Sequence, residues 1–167
     1  MMEPTFPEVE FEHEDFDFDT MDQELRVNER CQSLLESFYH YLLARGDDPQ
    51  AASDLAYCAD HYLRDYLIDF GRQNVVRPVP GVVRRFAATW FITRTLEPEM
   101  VVLERHLKAI CELYGFLRQQ HFISREELAW LEEEASRTEY YRHRLESFLA
   151  LRGDGYEEWE AECPLKE

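Results

Sequence analysis

Glycine is scarce in this 167-residue chain, lysine is scarcer still, and long apolar runs are missing. Six Gly, never arranged as GxGxxG or as a Walker loop, leave no Gly-rich turn to cradle a phosphate. The four Cys (Cys31, Cys58, Cys111 and Cys163) are far apart and never form CxxC, which excludes a zinc ribbon and a thioredoxin-type motif. Three of them read as small apolar residues and the fourth falls near the C-terminus, a usage that fits a reducing compartment. No stretch approaches the ~20 apolar residues that span a bilayer, and MMEPTFPEVEFEHED has neither a basic stretch nor an apolar core. The expectation is a soluble, cytoplasmic protein without a membrane partner.

What is present is enough to fold. The hydrophobic fraction is 45% and the aromatic fraction 14%, so burial can offset the entropy of ordering the chain, and this length suits one domain. The net charge of −17 is unevenly spread. Residues 1–24 hold ten acids and no Lys or Arg, and residues 154–167 hold six acids and one Lys. Between them 19 acids face 17 bases, a net of −2, and every base but Lys108 is Arg. This distribution predicts an acidic, mobile tail over 1–21, a single helical domain over 22–153 and a second acidic tail over 154–167.

Within the middle region the apolar residues recur at three- and four-residue steps. Thr20 or Asp22 can cap a first helix carrying Val27, Cys31, Leu34, Leu35, Phe38, Tyr41 and Leu42, and Gly46 stops it. Asp48 and Pro49 open a second with a broad apolar face running to Phe70. Val82, Val83, Phe86, Ala87, Trp90 and Phe91 mark a third, and Pro98 opens a fourth that reaches about His121. Ser124 and Glu127 form a capping box for a fifth, and a sixth runs from Thr138 to Gly153. The fold class is all-α, an irregular bundle of five or six helices.

Few residues invite chemistry. Asp54, Cys58, His61, Asp65 and Asp69 share one face of the second helix and have metal-binding donor types, but they lie opposite its apolar face and read as solvated. His40, His106, His121 and His143 read as helix-surface residues outside any HExxH. Neither a catalytic set, a cofactor nor a metal is expected. Tyr39, Tyr57, Trp90, Trp130, Tyr140 and Tyr156 serve either as a recognition surface or as core edge. The densest basic stretch is Arg72, Arg77, Arg84, Arg85 and Arg94, with no acid between Asp69 and Glu97, and Arg beside aromatic residues suits carboxylate or phosphate. Phe11, Phe16 and Phe18 give the first tail a means of docking.

The stretches SLLESFYHYLLARGDDPQAASDLAYCADHYLRDYLIDF and EMVVLERHLKAICELYGFLRQQHFIS, within residues 33–124, resemble the helical core-binding (SAM-like) domain of tyrosine recombinases. The likeness rests on Tyr62, Asp65 and Phe70, and on Leu113, Tyr114, Phe116 and Leu117. It implies a helical fold and an association with DNA. Fewer than fifty residues follow Ser124 and they contain no HxxR, so the resemblance carries no recombination chemistry. Two functions are therefore expected: a non-enzymatic helical module that binds another protein, or a DNA-associated module whose acidic tails shield the Arg-rich segment.

Overall fold

A computed structural model of the protein describes residues 9–165, and among these every regular element is helical. After a single 3-10 turn at His13–Phe16 come α1 (Met21–Ala44), α2 (Pro49–Asp60), α3 (Val82–Arg85), α4 (Phe91–Arg94), α5 (Met100–Gln119), α6 (Arg125–Ala135), α7 (Thr138–Leu149) and α8 (Tyr156–Ala161). Helix α2 runs on without a break into a π-wound segment, His61–Phe70. A second π-wound segment, Phe86–Trp90, joins α3 to α4 in one rod.

Local chemistry sets the helix ends. Thr20 and Gln23 form a reciprocal capping box at the start of α1, and Ser124 and Glu127 form another at the start of α6. Asp48 accepts from the Gln50 and Ala51 N–H groups ahead of α2, with Pro49 where a missing N–H costs nothing. Gly46, at φ +102°, ends α1 while the Asp47 N–H bonds Leu42 O at 3.1 Å.

The core is aromatic where the two π-wound segments meet. Tyr62 and Tyr66 lie edge-on to Phe86, and Tyr66 and Phe70 flank Trp90. The buried Tyr62 and Tyr114 hydroxyls are 2.6 Å apart, and Tyr66 donates to Val82 O at 2.7 Å. A π turn loosens the backbone ladder, and carbonyls inside it take side-chain donors: Arg144 Nε bonds Ala88 O at 3.1 Å and Thr93 Oγ1 bonds Thr89 O at 2.9 Å.

The two charge boundaries are not packing boundaries, and here the expectations need correction. Residues 154–165 form no free tail. Trp159 and Cys163 are buried, and Thr89 Oγ1 donates to Cys163 O at 2.7 Å. The fully buried Arg144 guanidinium lies 3.8 Å over the Trp159 ring and donates to Trp159 O at 2.6 Å and to Thr89 Oγ1 at 3.0 Å. Residues 9–20 are also seated, with Phe16 fully buried. Acids outnumber apolar residues in 9–20 and equal them in 154–165, yet a well-placed ring in each supplies burial that holds it. Residues 1–8 and 166–167, which complete the expected tails, lie outside the described residues.

Candidate binding surfaces

The acidic N-terminal segment and part of the Arg-rich stretch, two separate candidates in the sequence, meet on one surface. The Arg72 guanidinium stacks 4.7 Å from the Phe18 ring centroid and its Nη1 lies 2.6 Å from Glu24. Arg77 pairs with Glu14 at 3.4 Å. Asn74 Nδ2 donates to His13 O at 2.9 Å and to Asp17 Oδ1 at 2.8 Å, and Arg30 donates to Asp15 O at 2.5 Å. At the far end the Val9 N–H reaches Gln120 Oε1 at 3.2 Å, and His13 Nε2 donates to Phe122 O at 2.7 Å. Phe16 lies edge-on to Phe11 and Phe122, with centroids 5.7 and 6.0 Å away, while Phe11 and Phe18 are half-buried.

Arg72 takes up this position through a left-handed backbone, φ +53°, at the end of the π-wound segment. There the Arg72 N–H bonds Ile68 O and the Gln73 N–H bonds Leu67 O, a helix terminus that ordinarily favours glycine.

The other three arginines lie elsewhere. The backbone N–H groups of Gly81 and Arg84 both donate at 2.9 Å to the buried Glu134 carboxylate, which caps α3 from α6. Gly81 is at φ +88°, and a Cβ there would come within 2.7 Å of Arg85. Arg85 reaches Pro80 O at 3.4 Å, and Arg94 lies over the Phe70 ring at 5.3 Å. The five-residue basic stretch is therefore divided among at least three locations.

A second surface is an open groove of about 380 Å³ between α1 and α2. Leu35 and Ala56 contribute apolar lining, and Glu36, Tyr39 and His40 of α1 face Ser53, Tyr57 and Asp60 of α2. Ser53 and Ala56 are small, which keeps the groove open between larger side chains. One end is tied by Arg64, which pairs with Asp60 and donates to Gln32 Oε1 at 2.8 Å. Tyr57 is 74% exposed, more than any other tyrosine among the described residues. Of the remaining aromatic candidates, Trp90 is core, Trp130 and Tyr140 are half-buried, and Tyr156 stands exposed on α8.

The donor stripe of the second helix comes apart. Asp54, Asp65 and Asp69 are exposed, but Cys58 is buried beside Leu55, and burial raises its thiol pKa. His61 Nδ1 lies 2.6 Å from Asp65. Among the described residues no group of three or more His, Cys, Asp or Glu is arranged to hold a metal ion. His106, expected at the surface, is only 8% exposed and packs on Phe86 and Phe91. Burial pushes its pKa down to about 4, with the neighbouring His61 and Arg105 adding to the effect.

Sequence reasoning did not single out Arg30, Asn74, Glu134 or Arg144. Only Asn74, between two apolar stretches in a loop, carried a local signal of its own, the turn preference of Asn. Among the described residues no helix is long and apolar enough to cross a membrane. No protein-family model, curated protein or solved structure matches the chain.

Proposed function

We propose that this chain is a non-enzymatic helical module that binds a protein partner, and that a basic helix of that partner docks in the α1–α2 groove. The observation that carries the reading is Tyr57, largely exposed beside Tyr39 across an apolar floor of Leu35 and Ala56. Tyrosine buries a large area at low entropic cost while keeping a polar tip, and interfaces concentrate their binding energy on such residues. An open groove between two helices suits an amphipathic helix as ligand. Glu36 in the groove and the overall charge of −17 favour and steer a basic partner.

The alternative, a DNA-associated module related to the recombinase core-binding domain, has less support. The Arg77–Glu14 pair is the shielding that this reading expects, but Arg84 and Arg85 sit by Glu134 and Pro80 rather than under the acidic segment, so the arginines offer no single shielded surface for phosphate. The test is a photo-crosslinking residue placed at Tyr57 in the full chain, with Tyr156 as the control position. A defined protein adduct at 57 that is absent at 156 and lost on Glu36→Arg is the expected result. No adduct above the control, together with salt-sensitive binding of duplex DNA by the full chain, would replace this reading with the DNA one.

A further inference from the structure

The segment from Val9 to Phe18 sits on the rest of the molecule as a peptide sits on a receptor. Its own regular structure is one 3-10 turn, closed by Asp15 N–H to Glu12 O and Asp17 N–H to Glu14 O, both at 3.1 Å. The groups that hold it come from three separate parts of the chain: Arg30 from α1, Arg72, Asn74 and Arg77 from the loop after the π-wound segment, and Gln120 and Phe122 from the end of α5. Three of the contacts, at His13 O, Asp15 O and the Val9 N–H, read backbone and fix register without demanding a side chain. Selectivity falls on the rest. Phe16 is the buried anchor, Phe18 lies under a guanidinium, and Glu14 and Asp17 meet a cation and an amide. Backbone capture, one aromatic anchor and flanking charge complementarity are how short linear peptides are recognised.

We infer that this surface is a binding site for an acidic, phenylalanine-bearing peptide segment of a protein partner, and that residues 9–18 are its internal occupant. The site is distinct from the α1–α2 groove and selects the opposite charge, since Arg30, Arg72 and Arg77 surround it. The internal segment is continuous with α1 through the Thr20 cap, so it competes at a high effective concentration and only a ligand able to displace it gains access.

The experiment uses the full chain and, as probe, a fluorescent synthetic peptide with the sequence of residues 9–20. Phe16→Asp unseats the internal segment, and the folded variant should bind the peptide at least about tenfold more tightly than the unaltered protein does. Adding Arg72→Glu and Arg77→Glu should remove that gain, and a peptide with Ala at the Phe16 position should bind neither form. Should Phe16→Asp fail to fold, the unaltered protein provides the second measurement. Peptide at about 1 mM, the concentration scale of a tethered competitor, should then strip hydrogen-exchange protection from the Asp15 and Asp17 amides. A folded Phe16→Asp chain that binds no better than the unaltered protein, or a segment that stays protected at saturating peptide, overturns the inference.

Discussion

The two acidic ends of the described chain are alike in composition and unlike in how they are held. Residues 9–20 lie on the surface by one buried ring, several backbone hydrogen bonds and the Arg77–Glu14 ion pair, open to water. Residues 154–165 close over a fully buried guanidinium, with all three Arg144 nitrogens donating, to Ala88 O, Trp159 O and Thr89 Oγ1, and the group stacked on Trp159. The Glu162 carboxylate, 3.4 Å away, is itself 63% exposed. An exposed ion pair is worth little, while a buried cation must keep every donor satisfied. The first segment is therefore the replaceable one and the second the structural one.

The largest expected effect tests the second segment. Arg144→Ala takes a donor from Ala88 O, leaves Trp159 O only the long Glu162 N–H bond at 3.4 Å and removes the surface on which Trp159 stacks, so urea unfolding should show a loss of about 3–5 kcal/mol. Arg144→Lys should recover only part of it, because an ammonium cannot reproduce the planar fork. Near-native stability of Arg144→Ala would place the C-terminal segment outside the cooperative fold.

Phe16→Ala should cost less, about 3 kcal/mol at the low end of buried Phe truncations, because the segment can lift away and let water fill the site. If instead this substitution cost more than Arg144→Ala, the order of the two segments would be reversed.

Acid provides a reference that neither segment controls. His106 has its folded pKa depressed to about 4 by burial, with His61 and Arg105 contributing, whereas an unfolded His titrates near ~6.5. Between these values the unfolded chain binds the extra proton, so stability is fully present above about pH 6.5 and is lost as the pH falls toward 4. His106→Gln should flatten that part of the pH profile while leaving the Arg144 and Phe16 effects in the same order. An unchanged slope in thermal melts from pH 7 to 4 would remove His106 from the account. The smallest effect belongs to Arg77→Ala, whose pair with Glu14 is exposed on both sides and should change stability by less than about 0.5 kcal/mol.

Much of the helical layout was legible because its signals are local. Thr20, one of two candidate caps, Asp48 with Pro49, and Ser124 with Glu127 mark helix starts that the structure places where these caps put them. The π-wound turns were not legible. A register of 3.6 residues describes 61–70 well enough to read as ordinary helix, and in 86–90 the Ala88 carbonyl takes its side-chain donor from Arg144 of distant α7. Phe16 and Trp159 were masked by the acids around them, since composition averages over a window and burial depends on single side chains. Arg144 reads as a surface residue until the segment that buries it is in place.

Part of the candidate site was visible as well. Arg72, Arg77, Phe11, Phe16 and Phe18 were all marked by residue type, and Tyr39 and Tyr57 by their capacity for recognition. What the sequence could not convey is which of them share a surface. Arg84, Arg85 and Arg94 have partners other than those of Arg72, and the groove between Tyr39 and Tyr57 exists only once α1 packs on α2.

The contrast between a seated acidic segment and a free one is decided most directly by backbone ¹⁵N relaxation of the full chain in solution. The account predicts order parameters for Asp15, Phe16 and Asp17 near the ~0.85 of rigid backbone, matching α1 and Trp159; values below ~0.6 across residues 10–18, with Trp159 still rigid, would contradict it.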